Sequence, residues 1–240
     1  MSVASTKAFY AQIVAGTLLA LYLAGLQGRR DSAFIDREIG RLLALPDQMR
    51  RVIGMAPAIQ ASAARLAPTK TYWAAVGSGP NKASADEIRI KLSELCYKTI
   101  SSDFVEDKKH IDLSSEPLVI VCAAGSRPTV IGDIVKDTAI FRAHKAAPVV
   151  IADEGETRFD PYAEDVFHVP AVPEHLAPIL NTLVGHLWGY YAALSFNEAS
   201  RTLFRFQEAI QNEIVERTHQ GMDVYEIVLE AQEAALKAVK

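Results

Sequence analysis

The chain has 240 residues, of which half are apolar and 22% are charged, a composition typical of a folded protein and not of a disordered chain. Its net charge of −4 argues against a nucleic-acid-binding protein, because neutralising phosphates requires a basic surface. The two cysteines, Cys96 and Cys122, are too few for a disulfide scaffold or a thiolate zinc site, and the histidine spacing indicates no metal site. We therefore expect a cytoplasmic protein without metal or cofactor that does not bind nucleic acid.

The first predicted helix is unusually apolar. Residues 13–26 carry no charge and follow a short stretch that contains Lys7, a pattern shared by signal peptides and by buried helices. The run is shorter than the roughly 20 apolar residues that a membrane-spanning helix needs. Together with the cysteine usage and the residues just before the run, this predicts a core helix and no membrane partner.

Three helical segments open the chain, and they are predicted over residues 5–26, 31–45 and 48–66. Ser5 or Thr6 is the candidate N-cap of the first. We expect the second to stop before Pro46, because proline disfavours helical geometry in the residue that precedes it. Pro57 is expected to kink or divide the third.

From residue 72 onwards, short apolar runs alternate with helical stretches. The runs lie at 72–76, 117–122, 148–152 and 166–169, with a weaker one near 99–104, and the helical stretches lie at 81–96, 128–144 and 174–194. Such alternation is typical of right-handed βαβ units. The predicted fold class is α/β, a three-layer αβα arrangement with a mostly parallel five-stranded sheet, preceded and followed by helices.

The predicted elements divide the chain into three parts. Residues 1–68 form a helical segment, residues 69–195 the sheet domain, and residues 196–240 a helical tail with a break near Gly221. The flanking helices must bury their apolar faces on the sheet domain or on a partner chain.

A glycine-rich turn, GSGPN at residues 77–81, follows the first predicted strand and precedes a helix. Open α/β sheets bind ligands at the carboxyl ends of their strands, and a helix N-terminus offers free N–H groups to anions. The turn lacks the third glycine of a dinucleotide fingerprint and the Lys-Ser/Thr pair of a P-loop. A tight strand-to-helix turn capped by Asn81 explains the same residues.

The following helix carries Glu87, Lys91 and Glu94 on one flank, since these residues are spaced by four and three. Spacing alone favours a solvated ladder of ion pairs. The functional alternative is a carboxylate base whose proton affinity is tuned by the neighbouring ammonium. Further on, His110 lies in the charged stretch 106–112, either as a surface residue or as an acid–base group presented across an interface.

Several of these motifs match one family at consistent spacing. The opening segment SVASTKA at 2–8 resembles the VASTKA segment of glucosamine-6-phosphate synthases, the glutamine:fructose-6-phosphate aminotransferases, where it ends the first of two sugar isomerase (SIS) domains. KLSELCY at 91–97 resembles the KLKEISY helix of the second SIS domain, whose glycine turn corresponds to 77–81. His110, sixteen residues beyond Glu94, matches the histidine of the KHGP loop. The resemblance covers roughly residues 3–195.

The resemblance implies roles for particular residues. The Val3 backbone and the Ser5 hydroxyl would contact a sugar phosphate, and the glycine turn adds Gly77 and Ser78 as candidate substrate-binding residues.

The implied catalytic residues are Glu94, Lys91 and His110. Glu94 would carry a proton between C1 and C2 of the sugar, and Lys91 would neutralise charge on an oxygen in that step. His110 would assist ring opening in the site of a neighbouring subunit, which implies a homodimer.

Departures from the family pattern limit the predicted activity. The CGTS and SQSGET phosphate loops, the amidotransferase domain and the PRNLAKSVT tail with its imine-forming lysine have no counterpart in the sequence. We therefore expect the C-terminal isomerase portion of a longer protein, inactive as an aminotransferase by itself. The alternative is a non-catalytic or deglycase-like SIS protein that binds a sugar phosphate.

Overall fold

A computed structural model describes residues 5–108, 116–221 and 223–229 of the protein. The chain forms two compact units, Met1–Ala193 and Leu194–Lys240. The first unit contains the whole sheet.

Three helices precede the sheet, α1 (Lys7–Leu26), α2 (Ser32–Gly54) and α3 (Ala56–Leu66). The Asp31 side chain begins α2 by accepting a hydrogen bond of 2.8 Å from the Phe34 amide. The prediction that this helix stops before Pro46 is wrong, because α2 continues through the proline. Leu45 and Val52 on either side of Pro46 are buried, and burying two such side chains offsets the roughly 3 kcal/mol that an interior proline costs.

The predicted five-stranded sheet is confirmed, and all of its strands are parallel. The strands are β1 (Trp73–Gly77), β2 (Ile100–Asp103), β3 (Leu118–Cys122), β4 (Ala147–Asp153) and β5 (Asp165–Val169). They lie in the order β2-β1-β3-β4-β5, so the first strand is inside the sheet, β2 lies on one side of it, and β3 to β5 follow on the other. The weakly marked run near 99–104 is the edge strand β2.

Helices cover both faces of the sheet, giving the predicted three layers. They are α4 (Asn81–Cys96), α5 (Val105–Lys108), α6 (Pro128–Ala143) and the part of α7 (Ala177–His219) that belongs to the first unit. Val119 and Val121 of β3 share a core with Phe141 of α6 on one face. On the opposite face, the Trp73 and Trp188 rings meet edge to face at 5.3 Å.

Helix α7 starts near the predicted position but runs to His219, well past the predicted end at residue 194. Gly221, two residues beyond this end, has a φ of +84°. The predicted break near Gly221 is therefore confirmed, because a left-handed residue ends a helix most easily when it is glycine.

The prediction that α1 is a core helix is wrong. Leu21 is its only buried residue, and exposed apolar side chains stand all around it: Leu18, Leu19, Tyr22, Leu23 and Leu26. Because its apolar residues do not form one stripe, its contacts with α2 and with His186 of α7 leave most of them uncovered. With 20 residues and a mean hydropathy of 1.7, α1 also meets the length and composition of a membrane span, a test that signal sequences and core helices pass too.

Candidate functional site

The glycine turn joins β1 to α4 and is tightly built. A Cβ on Gly77 would lie 2.2 Å from the backbone oxygen of Asn81, so a side chain does not fit there. Ser78 Oγ donates a hydrogen bond of 3.0 Å to Glu106 Oε2. Asn81 does not cap α4 as expected, because Pro80 is the N-cap residue. The side-chain amide of Asn81 instead donates a hydrogen bond of 2.8 Å to the Ala124 carbonyl.

Asn181 of α7 is buried and links this turn to the segment that follows β3. Its Nδ2 lies within hydrogen-bonding distance of three acceptors, Asn81 Oδ1 at 3.0 Å and the carbonyls of Ala124 at 3.1 Å and Ala177 at 3.0 Å, which share its two N–H donors. Sequence reasoning did not single out this residue, since one asparagine in an apolar helix has no motif around it. The geometry of the turn therefore depends on a residue about 100 positions away.

Replacing Asn181 by leucine, which has a similar shape, is expected to lower the free energy of unfolding by about 1 to 2 kcal/mol, because the buried Asn81 Oδ1 loses its donor while the Ala124 carbonyl keeps the Asn81 side-chain amide. The neighbouring Thr182 is a matched control. Its buried Oγ1 has no hydrogen-bond partner among the described residues, so Thr182→Val should leave stability unchanged or raise it by about 1 kcal/mol. Equal effects of the two substitutions in urea denaturation would contradict the assignment.

A cavity of about 290 Å³ lies beside the turn, and its charged lining residues are mainly acidic. Among the described residues, its lining includes Ser78 together with Glu106, Asp133 and Asp137, and one basic residue, Lys136. Three carboxylates around one ammonium disfavour a phosphate group. The electrostatics of this cavity therefore give no support to phosphate binding through Ser78.

The second cluster lies on α4 and is buried, unlike the solvated ladder that spacing alone favours. The Lys91 side chain is only 3% exposed, and its Nζ lies 3.1 Å from Glu94 Oε2 and 3.6 Å from Glu87 Oε1. The ammonium thus sits between two carboxylates. We call these three residues the Lys91 cluster.

The two carboxylates of the Lys91 cluster differ in environment. The Glu94 side chain is 39% exposed, whereas Glu87 is largely buried. Burial raises the pKa of Glu87, against the lowering effect of the Lys91 ammonium. Glu94 lies in the last turn of α4, where exposed carbonyls repel a negative charge, and Lys91 offsets that repulsion. The result is an accessible carboxylate hydrogen-bonded to a buried ammonium.

Two residues that the sequence did not single out as functional continue the cluster inward. His186 Nε2 lies 3.1 Å from Glu87 Oε1, and His186 Nδ1 lies 2.9 Å from Tyr10 Oη. Burial and the nearby Lys91 ammonium lower the pKa of His186 to about 4. Burial, and then the charge of Glu87, raise the pKa of the Tyr10 phenol. His186 and Tyr10 had no recognisable signal, because their partners lie on other elements.

The structure brings some predicted site residues together and keeps others apart. Lys91 and Glu94 follow the start of α4 by 10 and 13 residues, so at 1.5 Å per residue they lie about 15 and 20 Å from the glycine turn. The glycine turn and the Lys91 cluster therefore lie towards opposite ends of α4. Ser5 is exposed just before α1, while Val3 and His110 lie outside the described residues.

Known proteins resemble this chain in sequence. No model of a known protein family matches it. The glutamine–fructose-6-phosphate aminotransferase (isomerizing) of Mycobacterium bovis is 31% identical over 188 residues, which is 76% of this chain and 30% of that protein. The chain therefore spans less than a third of the length of this relative.

Solved structures resemble the fold. The C-terminal domain of glucosamine-fructose-6-phosphate aminotransferase from Francisella tularensis matches with a TM-score of 0.73 at 20% identity, covering 80% of this chain and 54% of that one. Tagatose-6-phosphate ketose/aldose isomerase from Escherichia coli matches with a TM-score of 0.52 at 16% identity, covering 62% and 42%. With the curated relatives, these likenesses show that the chain carries a sugar isomerase (SIS) domain related to the C-terminal isomerase domain of the glutamine–fructose-6-phosphate aminotransferases.

Proposed function

We propose that this SIS domain binds a ketose or aldose 6-phosphate and contributes Glu94 and Lys91 to its isomerisation. The observation that carries the proposal is the pair itself, a half-exposed carboxylate 3.1 Å from a buried ammonium. Support also comes from the relatives, which are an aminotransferase described as isomerizing and a ketose/aldose isomerase.

The isomerisation requires one base and one positive charge. Starting from a ketose, Glu94 removes a proton from C1, the C–H electron pair forms the C1–C2 double bond, and the C2 oxygen takes up negative charge. A proton shift from O1 to O2 and return of the Glu94 proton to C2 then give the aldose. The Lys91 ammonium favours removal of the C1 proton because it stabilises the negative charge that develops on the C2 oxygen in a site partly closed to water.

Other parts of the site belong to the same proposal. Val3 and Ser5 would bind the sugar phosphate, and His110 would assist ring opening in the neighbouring subunit of a cytoplasmic homodimer. Because charge-assisted contacts dominate the recognition of phosphates and the family's phosphate loops are absent from the sequence, we expect weak binding by this chain. We also expect no aminotransferase activity, since no lysine matches the imine-forming one.

Fructose 6-phosphate and glucosamine 6-phosphate, titrated separately into the full chain and followed by calorimetry and NMR, test the proposal. We expect dissociation constants on the order of millimolar and shifted resonances near Glu94. Exchange of solvent deuterium into C1 of fructose 6-phosphate should fall by about 10²-fold or more in Glu94→Gln. Glu154→Gln is the control, because Glu154 is also an exposed carboxylate paired with a cation, Arg51.

Each outcome has a definite meaning. Shifts around Glu94 together with exchange that depends on Glu94 support the proposal. Binding without exchange in the wild-type chain would favour the non-catalytic sugar-phosphate-binding alternative. If neither sugar phosphate shifts any resonance near α4, the proposal is wrong.

A further inference from the structure

A hydrogen-bonded relay leads from the surface of α1 to the Lys91 cluster through the interior of the first unit. Tyr10 of α1 contacts His186 of α7 at 2.9 Å, and His186 contacts Glu87 of α4 at 3.1 Å. Glu87 in turn lies 3.6 Å from Lys91. We call Tyr10, His186 and Glu87 the relay, and its members come from three different helices.

The chemistry of the groups fixes the direction of the hydrogen bonds. Lys91 at 3.6 Å favours the ionised form of Glu87, and an ionised carboxylate only accepts, so His186 must donate its Nε2–H. The neutral imidazole then has an unprotonated Nδ1, which accepts the O–H of Tyr10. The lowered pKa of His186 and the raised pKa of Tyr10 agree with a neutral ring and a protonated phenol.

This arrangement restricts where Glu87 can point. One of its oxygens, Oε1, faces both His186 Nε2 and Lys91 Nζ. Edge-on contact with the Phe9 ring at 6.0 Å and with the Tyr10 ring at 5.6 Å further orients the imidazole. A held Glu87 carboxylate therefore fixes one side of the Lys91 ammonium, which also contacts Glu94.

We propose that Tyr10, His186 and Glu87 are positioning residues, which act through Lys91 to keep its ammonium directed at Glu94. The use of Glu94 in this inference rests on the proposed function, whereas the proton arrangement of the relay does not. In metal sites, for example, a carboxylate that accepts a hydrogen bond from a histidine fixes the orientation of that histidine, and its loss lowers activity.

The first test uses the wild-type full chain without any ligand. NMR of ¹⁵N-histidine-labelled protein should show His186 as one neutral tautomer, with the proton on Nε2, throughout pH 6 to 8. Among the described residues, the titratable groups that face the ring are Tyr10, Glu87 and Lys91. Burial raises the pKa of Glu87 and lowers that of His186 to about 4, so on acidification Glu87 should take up a proton before the ring does. A proton on Nδ1 instead, or an imidazolium at pH 7, would overturn the proposal.

The second test separates positioning from a structural role. His186→Gln keeps an N–H donor that can reach Glu87, and His186→Leu does not. If the relay positions Lys91, the leucine variant should lose about tenfold or more in C1 exchange on fructose 6-phosphate, and the glutamine variant should recover most of it. Equal exchange rates in folded samples of both variants would mean that His186 only packs the core.

Glu87→Gln and its neighbour Asp86→Asn form a matched pair on α4. Asp86 pairs with Lys82 and lies outside the relay, so its substitution should leave the His186 spectrum unchanged. Glu87→Gln should mix the two His186 tautomers, because an amide can either accept from or donate to Nε2. An unchanged His186 spectrum in Glu87→Gln would contradict the relay.

The proposed function and the relay can fail independently. Wild-type protein that shows the Nε2–H tautomer but binds no sugar phosphate would refute the function and leave the relay in place. Protein that exchanges C1 protons with an Nδ1–H tautomer would refute the relay and support the function.

Discussion

Replacing Lys91 by methionine is expected to lower the free energy of unfolding by about 3 kcal/mol and to abolish any exchange that depends on Glu94. The Lys91 side chain is 3% exposed and lies between Glu87 and Glu94. Methionine fills much of the same volume but carries no charge, so it leaves the buried Glu87 carboxylate without its ammonium. Removing one partner of a buried ion pair costs more than the pair itself contributes.

Lys82→Met is the control for this substitution, because Lys82 also pairs with a carboxylate on α4. The Lys82–Asp86 pair is more open to solvent, so its loss should cost about 1 kcal/mol or less. Urea denaturation of both variants at pH 7 measures the difference. Equal losses in the two variants would show that the Lys91 cluster behaves as an ordinary surface ladder.

Gly77→Ala is expected to lower the free energy of unfolding by about 3 kcal/mol, because the turn between β1 and α4 has no space for a side chain. The added Cβ would lie 2.2 Å from the backbone oxygen of Asn81 and 2.5 Å from its carbonyl carbon. These are backbone atoms at the start of α4, so relief of the clash requires the helix to move. Asn81 and Asn181 would then lose their shared contacts with the Ala124 carbonyl.

Gly132→Ala, in the middle of α6, is the matched control. A Cβ there meets no atom within 4 Å, and alanine is the better helix former. Chemical denaturation should therefore show a stability that is unchanged or up to about 1 kcal/mol higher. A Gly77→Ala protein as stable as wild type, with an unchanged NMR spectrum around Asn81, would contradict the close approach in the turn.

The parallel sheet was predictable because each central strand is a short, continuous apolar run. β3 (LVIVC) and β4 (APVVIAD) are buried between two helical layers, so neither face needs polar residues. The edge strand β2 (ISSD) was marked only weakly, because an edge strand is partly exposed and can carry polar residues. Local composition therefore predicts a strand most clearly where both faces of that strand are buried.

Pro46 and α1 show where local rules fail. Proline geometry predicts a helix end, yet burial of Leu45 and Val52 carries α2 through it. Apolar composition predicts a buried α1, yet burial depends on what packs against a helix, and Leu21 is the one α1 residue that is fully buried. Both outcomes are decided by packing between elements, which a single segment does not encode.

The sequence by itself determined the fold class, the family resemblance and the flank of α4 that carries Glu87, Lys91 and Glu94, because helical period and strand alternation are local properties. Only the tertiary structure decided that Lys91 is buried and that His186 and Tyr10 join its cluster. The glycine turn and Glu94 were both predicted as site residues, and the structure places them about 20 Å apart along the axis of α4. Burial, desolvation and contacts between distant helices arise only when the chain is packed, and these set the charge and position of the groups in the candidate site.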